Sequence, residues 1–117
     1  MRLMINAPSI LIYTKHVDFR NSINGLINVV TSNINVSLQD NIFIFYNKTR
    51  DKLKILAWHN NGYVLLLKRL EKGSFINSFD KDNSVVSMTQ QQLSWLLAGL
   101  DWVQMSTWGE LEYRDFS

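Results

Sequence analysis

Seven of the chain's twelve basic residues lie between positions 48 and 72, where only two acidic residues accompany them. Lysine and arginine side chains on neighbouring strands can bind a polyanion, because neutralising phosphates releases condensed counterions. Contacts of this kind hold a protein on DNA without reading base sequence. An alternative is that the lysines only keep strand edges soluble. The residues predicted to bind nucleic acid are Lys48, Arg50, Lys52, Lys54, Lys68, Arg69 and Lys72.

The charge is unevenly distributed along the chain. The net charge of the whole chain is +2. Residues 1–47 carry +1, residues 48–72 carry +5 and residues 73–117 carry −4. A basic middle followed by an acidic end favours a charged partner over a uniformly solvated surface.

Residue types for catalysis are sparse. There is no cysteine, the five glycines are far apart, and His16 and His59 lack metal-ligand spacing. His59-Asn60-Asn61 resembles the start of a His-Asn-His nuclease motif, but its third residue is asparagine. We therefore predict that the chain is not an enzyme and needs no metal or cofactor, with a metal-dependent nuclease as the remaining alternative.

The elements that must position the cations are two strands joined by Asn60-Asn61-Gly62, because asparagine and glycine tolerate the positive φ of a tight hairpin turn. With a two-residue loop, the residue numbers of each directly opposed pair add up to an odd number. Directly opposed residues lie on the same face of the hairpin. One face then carries Trp58 and Tyr63 near the turn and cations at the far end. We predict that Trp58 and Tyr63 contact a protein partner, or that Trp58 stacks on bases beside the cations.

Two helices are predicted on either side of this ribbon. A stripe from Phe19 to Val30 indicates an amphipathic helix that Asp18 caps. Thr89 and Gln92 have capping-box spacing, and the buried stripe after them runs to Leu100.

The predicted fold is α+β, with a mainly antiparallel sheet of four to five strands and two helices on one face. Its strands include Ser9–Thr14, Ile42–Tyr46 and Val85–Val86, and the chain's 117 residues correspond to a single domain. The N-terminal stretch is too short and too polar to span a membrane, so we expect a cytoplasmic protein with no membrane partner.

Several blocks of residues resemble a known family, in order and at matching spacing over about residues 10–102, with residues 103–117 left as an acidic, aromatic tail. The blocks are residues 17–26; residues 43–47 with 50–54; Leu56, Trp58, 61–63 and 68–75; and residues 93–102. The chain resembles the TnpB-type, Orf-two-like accessory proteins of the IS-sixty-six class of bacterial insertion sequences. Asn21 departs from that pattern by replacing a usual lysine.

This resemblance implies a small protein encoded beside a larger transposase that performs the strand chemistry. The expected function is that of a non-catalytic accessory protein in transposition of a mobile element, a form of DNA recombination. The expected partners are DNA, bound through the basic hairpin, and the transposase or a sister protein of the element. An adaptor that recruits or assembles the transposase is the alternative, and the sequence leaves the oligomeric state open.

Overall fold

The computed structural model describes residues 9–75 and 82–106. These residues form a sheet of five strands in the order β4-β3-β2-β1-β5. The only parallel pairing in the described sheet joins β1 and β2, and the other pairings are antiparallel. The strands are β1 (Ser9–Tyr13), β2 (Asn41–Tyr46), β3 (Lys52–His59), β4 (Gly62–Arg69) and β5 (Val85–Met88).

The helices are α1 (Ile23–Asn33) and α2 (Gln90–Leu97), and residues 102–106 are helical as well. The prediction of an α+β fold with a mainly antiparallel sheet is confirmed, and the parallel pair makes the sheet mixed. Because parallel neighbours need a crossover connection, α1 links β1 to β2. The described residues contain no helix that is both long enough and apolar enough to cross a membrane.

The two helices lie on opposite faces of the sheet, so the prediction that both pack on one face is wrong. Leu26 and Val30 of α1 pack with Phe43 and Phe45 of β2. Leu96 of α2 packs with the core on the other side of the sheet. The physical reason is the composition of β2, whose alternating side chains are apolar on both faces and require cover on both.

The β3–β4 hairpin has the predicted two-residue loop, Asn60-Asn61. Trp58 lies opposite Tyr63 and His59 lies opposite Gly62, so opposed residues sum to an odd number. Asn60 has a φ of 57°, the left-handed conformation that asparagine tolerates. The two faces of the hairpin are therefore those inferred from the sequence.

The start of α2 is confirmed as a capping box. Thr89 Oγ1 accepts from the Gln92 N–H at 3.1 Å, and Gln92 Oε1 accepts from the Thr89 N–H at 2.8 Å. The helix ends earlier than predicted, because Gly99 adopts a φ of 79° and closes a Schellman motif. Leu100 therefore lies beyond the helix and is 42% exposed instead of buried.

Asp18 does not cap α1. The helix begins at Ile23, four residues later than that interpretation requires, and Ser22 occupies the N-cap without a side-chain hydrogen bond. Asp18 instead accepts from the Arg20 N–H at 2.9 Å and forms an ion pair with the Arg20 guanidinium at 2.6 Å.

Candidate polyanion-binding surface

The turn between β2 and β3 is held by main-chain hydrogen bonds, such as that from the Arg50 N–H to the Asn47 carbonyl at 3.0 Å, and by several side chains. Asp51 Oδ1 accepts from Asn47 Nδ2 and from Thr49 Oγ1, each at 2.7 Å. The Lys52 N–H donates to Asn47 Oδ1 at 3.1 Å. These contacts let Arg50 stand at a φ of 59°, a left-handed conformation that normally favours glycine. The turn thus presents an arginine where the backbone alone would select a smaller residue.

The segment that follows β4 folds back against this turn. The Leu70 N–H donates to the Asp51 carbonyl at 2.8 Å, and the Phe75 N–H donates to the Arg50 carbonyl at 2.6 Å. Ser74 Oγ donates to the Thr49 carbonyl at 3.1 Å. Phe75 is fully buried in the core on the α2 side, which anchors the segment. Two stretches that are distant in sequence are thereby held side by side.

Six of the seven predicted cations meet at this end of the sheet, which we call the cationic end. Lys52 lies directly opposite Arg69 in the hairpin register. Glu71 and Asp51 are the two carboxylates of the same segments, so six cations leave a net charge of +4. The cationic end consists of Lys48, Arg50, Lys52, Lys68, Arg69 and Lys72.

The cationic end surrounds the ends of β3 and β4 and does not lie on one flat face. Lys52 and Arg69 share the α1 side of the sheet, whereas Lys68 is opposite Leu53 and lies on the α2 side. Lys52 is half-buried and the other five residues are exposed.

The carboxylates leave most of this charge available. Glu71 pairs with Arg69 at 2.9 Å, but both side chains are largely exposed, and such surface pairs contribute at most about 1 kcal/mol. The hydrogen bonds from Asn47 and Thr49 hold the Asp51 carboxylate towards the turn's own amide and hydroxyl groups, and they lower its pKa. A phosphate therefore competes with weak internal partners only.

Lys54 stands apart from the other predicted cations. Its ammonium donates to the carbonyls of Phe19 and Asn21, each at 2.9 Å, and lies 4.8 Å from the centre of the Phe19 ring. Its ammonium is thus used to fasten the loop before α1 to β3. The structure thus places Lys54 apart from the exposed cations, a difference that alternation along a strand cannot reveal because the partners lie more than thirty residues away.

Trp58 and Tyr63 form a second candidate surface at the turn end of the hairpin. Their ring centres are 5.0 Å apart at an interplanar angle of 76°, an edge-to-face contact across the two strands. Leu67 is on the same face and is 60% exposed. We call Trp58, Tyr63, Leu65 and Leu67 the apolar patch.

The aromatic pair of the apolar patch is separate from the cationic end, whereas Leu67 lies only two residues from Arg69 on the same face. The aromatic pair lies six residues along the strands from the pair Lys52–Arg69, which corresponds to about 20 Å. The hypothesis of bases stacking on Trp58 directly beside phosphates on the cations therefore loses its geometric support. The two surfaces suit two different kinds of partner.

Asn47, Thr49 and Phe75 shape the candidate site and were missed by the sequence reasoning. Asn47, Thr49 and Asp51 are residue types that favour turns, but their spacing had indicated only a polar connection. For Phe75, the sequence offered no indication of burial beyond its being a large apolar residue after Gly73. Within residues 9–75 and 82–106, no group of three His, Cys, Asp or Glu side chains is arranged to hold a metal ion.

Comparisons with known proteins agree with the family resemblance found in the sequence. A family model described as "IS66 Orf2 like protein" matches residues 8–107. An uncharacterized protein of Sinorhizobium fredii, y4jC, is 38% identical over 100 residues, covering 82% of each chain. A second, y4hO from the same organism, is 30% identical over 92 residues, covering 78% of this chain and 79% of its own length. No solved structure matches.

Proposed function

The chain belongs to the IS66 Orf2-like family, and from that premise we propose that it is a non-catalytic accessory protein in insertion-sequence transposition that binds DNA through its cationic end. In this proposal the protein acts in the cytoplasm on the DNA of the element, while the transposase encoded beside it cuts and joins strands. The observation that carries the proposal is the assembly of six cations at one end of the sheet with only weakly competing carboxylates.

The arrangement favours phosphate contacts over base reading. The cations project from two strand ends and a tight turn, and no helix or ribbon of the described residues presents them as a ridge for a DNA groove. Binding through phosphates alone weakens steeply with salt, by a slope of about −0.9 in log affinity against log salt for each phosphate contacted. We therefore expect affinity for duplex DNA of any sequence, with specificity supplied by a partner protein.

Arg50→Gly tests this proposal with little risk to the fold. Glycine is favoured at the φ of 59°, so the variant removes one cation while relaxing the backbone. We expect thermal stability equal to or above that of the parent chain. Binding to a short fluorescein-labelled DNA duplex, followed by anisotropy at several salt concentrations, should weaken, and the salt slope should fall by about 1.

Asn61→Asp is the matched control. It changes the net charge by the same amount at the exposed turn, on the opposite end of the hairpin from Arg50. We expect it to leave the salt slope unchanged. The proposal fails if the duplex is not bound, if Arg50→Gly keeps the parent slope, or if Asn61→Asp weakens binding equally.

The apolar patch favours a second candidate function, that of an adaptor for the transposase. An exposed leucine beside an aromatic pair is typical of a protein contact. Co-elution of the transposase with the parent chain, abolished by Trp58→Ala and retained by Arg50→Gly, would support this function. Loss of co-elution with Arg50→Gly alone would oppose it.

A further inference from the structure

Strand β4 has the composition of an interior strand although it lies at an edge of the sheet. It is eight residues long, and its residues from Tyr63 to Leu67 are apolar on both faces. Edge strands are usually short or are protected by a proline, a bulge or a charge in the middle. Residues 62–67 contain no proline or charge and pair without a bulge. The opposite edge, β5, is only four residues long.

The outer side of β4 offers main-chain groups as well as apolar side chains. Within residues 9–75 and 82–106, no strand pairs with that side. The pair that flanks a two-residue hairpin loop is hydrogen-bonded, so Gly62 directs its N–H and C=O towards β3. By alternation, the N–H and C=O groups of Tyr63, Leu65 and Leu67 point outward. The strand thus presents both the free main-chain groups and the apolar side chains that a pairing strand requires.

We propose that two copies of this chain pair through β4, antiparallel and about a two-fold axis at Leu65, to form a continuous sheet across both subunits. The two-fold axis makes the interface self-complementary. In this register Leu65 meets Leu65 of the partner subunit, Tyr63 meets the partner's Leu67, and Val64 meets the partner's Leu66. Every apolar residue from 63 to 67 therefore faces an apolar residue on the same face, and the outward hydrogen-bonding groups are satisfied.

The charges of β4 select this occupant and this orientation. Lys68 and Arg69 are confined to one end of the strand, and the other end is the uncharged turn. Antiparallel pairing places Lys68 beside the partner's Gly62 and separates the two Arg69 side chains by about 27 Å, well beyond the screening length of about 8 Å. A parallel arrangement would bring the four cations together. A shift of the two-fold axis by one residue, to Leu66, would set Lys68 against the partner's Val64.

This inference does not depend on DNA binding. It extends the apolar patch, because the patches of the two subunits meet on the same face of the joined sheet. It also places the two cationic ends at opposite ends of the paired strands.

Cysteine cross-linking tests the register, since the parent chain has no cysteine. Opposed Cα atoms in an antiparallel pair are about 4.5 to 5.5 Å apart, which a disulfide can bridge. We expect a mixture of Tyr63→Cys and Leu67→Cys chains to form a mixed disulfide dimer on mild oxidation. Leu67→Cys alone should not cross-link to itself, because the two positions are offset by about 14 Å along the strands. Self-cross-linking of Leu67→Cys, or none in the mixture, would overturn the register.

Sedimentation equilibrium tests the dimer itself. Leu67→Lys should weaken dimerisation by about tenfold or more, because the two-fold axis repeats the lost contact and the added charge. Leu67 is exposed, so this change spares the core, and Val36→Lys is the matched control at an exposed apolar residue away from β4. A monomeric parent chain at micromolar concentrations, or a Leu67→Lys dimer as tight as that of Val36→Lys, would refute the proposal.

Discussion

Lys54→Met should destabilise the protein by removing an ammonium that holds α1's leading loop against the sheet. The variant keeps an apolar stem of similar length, so that lost packing contributes little. Hydrogen bonds to charged groups contribute about 1.5 to 3 kcal/mol each when well shielded, and the two from Lys54 lie in a partly buried site. The contact with the Phe19 ring adds about 0.5 to 1 kcal/mol.

These contributions are discounted by about half because the site is only partly buried, so the expected loss in the free energy of unfolding is about 2 to 3 kcal/mol. At urea m-values of about 1 to 3 kcal/mol/M, this corresponds to a midpoint about 0.7 to 3 M lower. Circular dichroism followed through a urea titration measures it. The m-value should stay constant, since the loop detaches only as the protein unfolds.

Lys52→Met is the matched control, because Lys52 is on the same strand and the same face two residues away. Its side chain makes no hydrogen bond within the described residues, and we expect a change within about 0.5 kcal/mol. DNA binding should respond in the opposite sense, with Lys52→Met lowering the salt slope and Lys54→Met leaving it unchanged. Equal stabilities of the two variants would refute the role assigned to Lys54, and an equal loss of DNA binding would restore Lys54 to the cationic end.

Two further predictions concern stability. Thr89→Ala removes the acceptor for the Gln92 N–H and should cost about 1 kcal/mol in urea unfolding, whereas Ser87→Ala, just before it and exposed, should cost nothing measurable. Arg20 lowers the pKa of Asp18 to about 2 through a side-chain hydrogen bond, below the unfolded value of about 3.9, so this pair stabilises the fold above pH 4 and the contribution is lost as the pH falls towards 2. Asp18→Asn should flatten the pH dependence of the unfolding free energy between pH 4 and 2, and an unchanged slope would contradict the assignment.

The elements that could be predicted from sequence are those that depend on local chemistry. The hairpin register follows from a turn whose residues tolerate positive φ, and the capping box follows from hydroxyl and amide groups three residues apart. A methyl group at Gly25 in α1 would lie 2.7 Å from Asn21 Oδ1, so the glycine suits the close approach of that side chain.

Contacts that depend on the tertiary fold could not be predicted from local sequence patterns. Lys54 looks like Lys52 in any alternation pattern, yet its ammonium contacts Phe19 and Asn21, which are brought near only when α1 crosses between two parallel strands. The left-handed Arg50 is equally invisible, because it depends on hydrogen bonds among Asn47, Thr49 and Asp51 and not on the arginine itself. In both cases the side chain's function is decided by neighbours that sequence spacing does not reveal.

The placement of the helices was, by contrast, within reach of the sequence. Ile42, Ile44 and Tyr46 of β2 face one side, and Phe43 and Phe45 face the other. A strand that is apolar on both faces requires cover on both, so two helices on one side would have left the phenylalanines or the isoleucines exposed to water. The same argument applies to β4, whose core-like residues Val64 to Leu67 occupy an edge. Within residues 9–75 and 82–106 no strand pairs with the outer side of β4, and its apolar composition is the observation on which the proposed pairing of two chains rests.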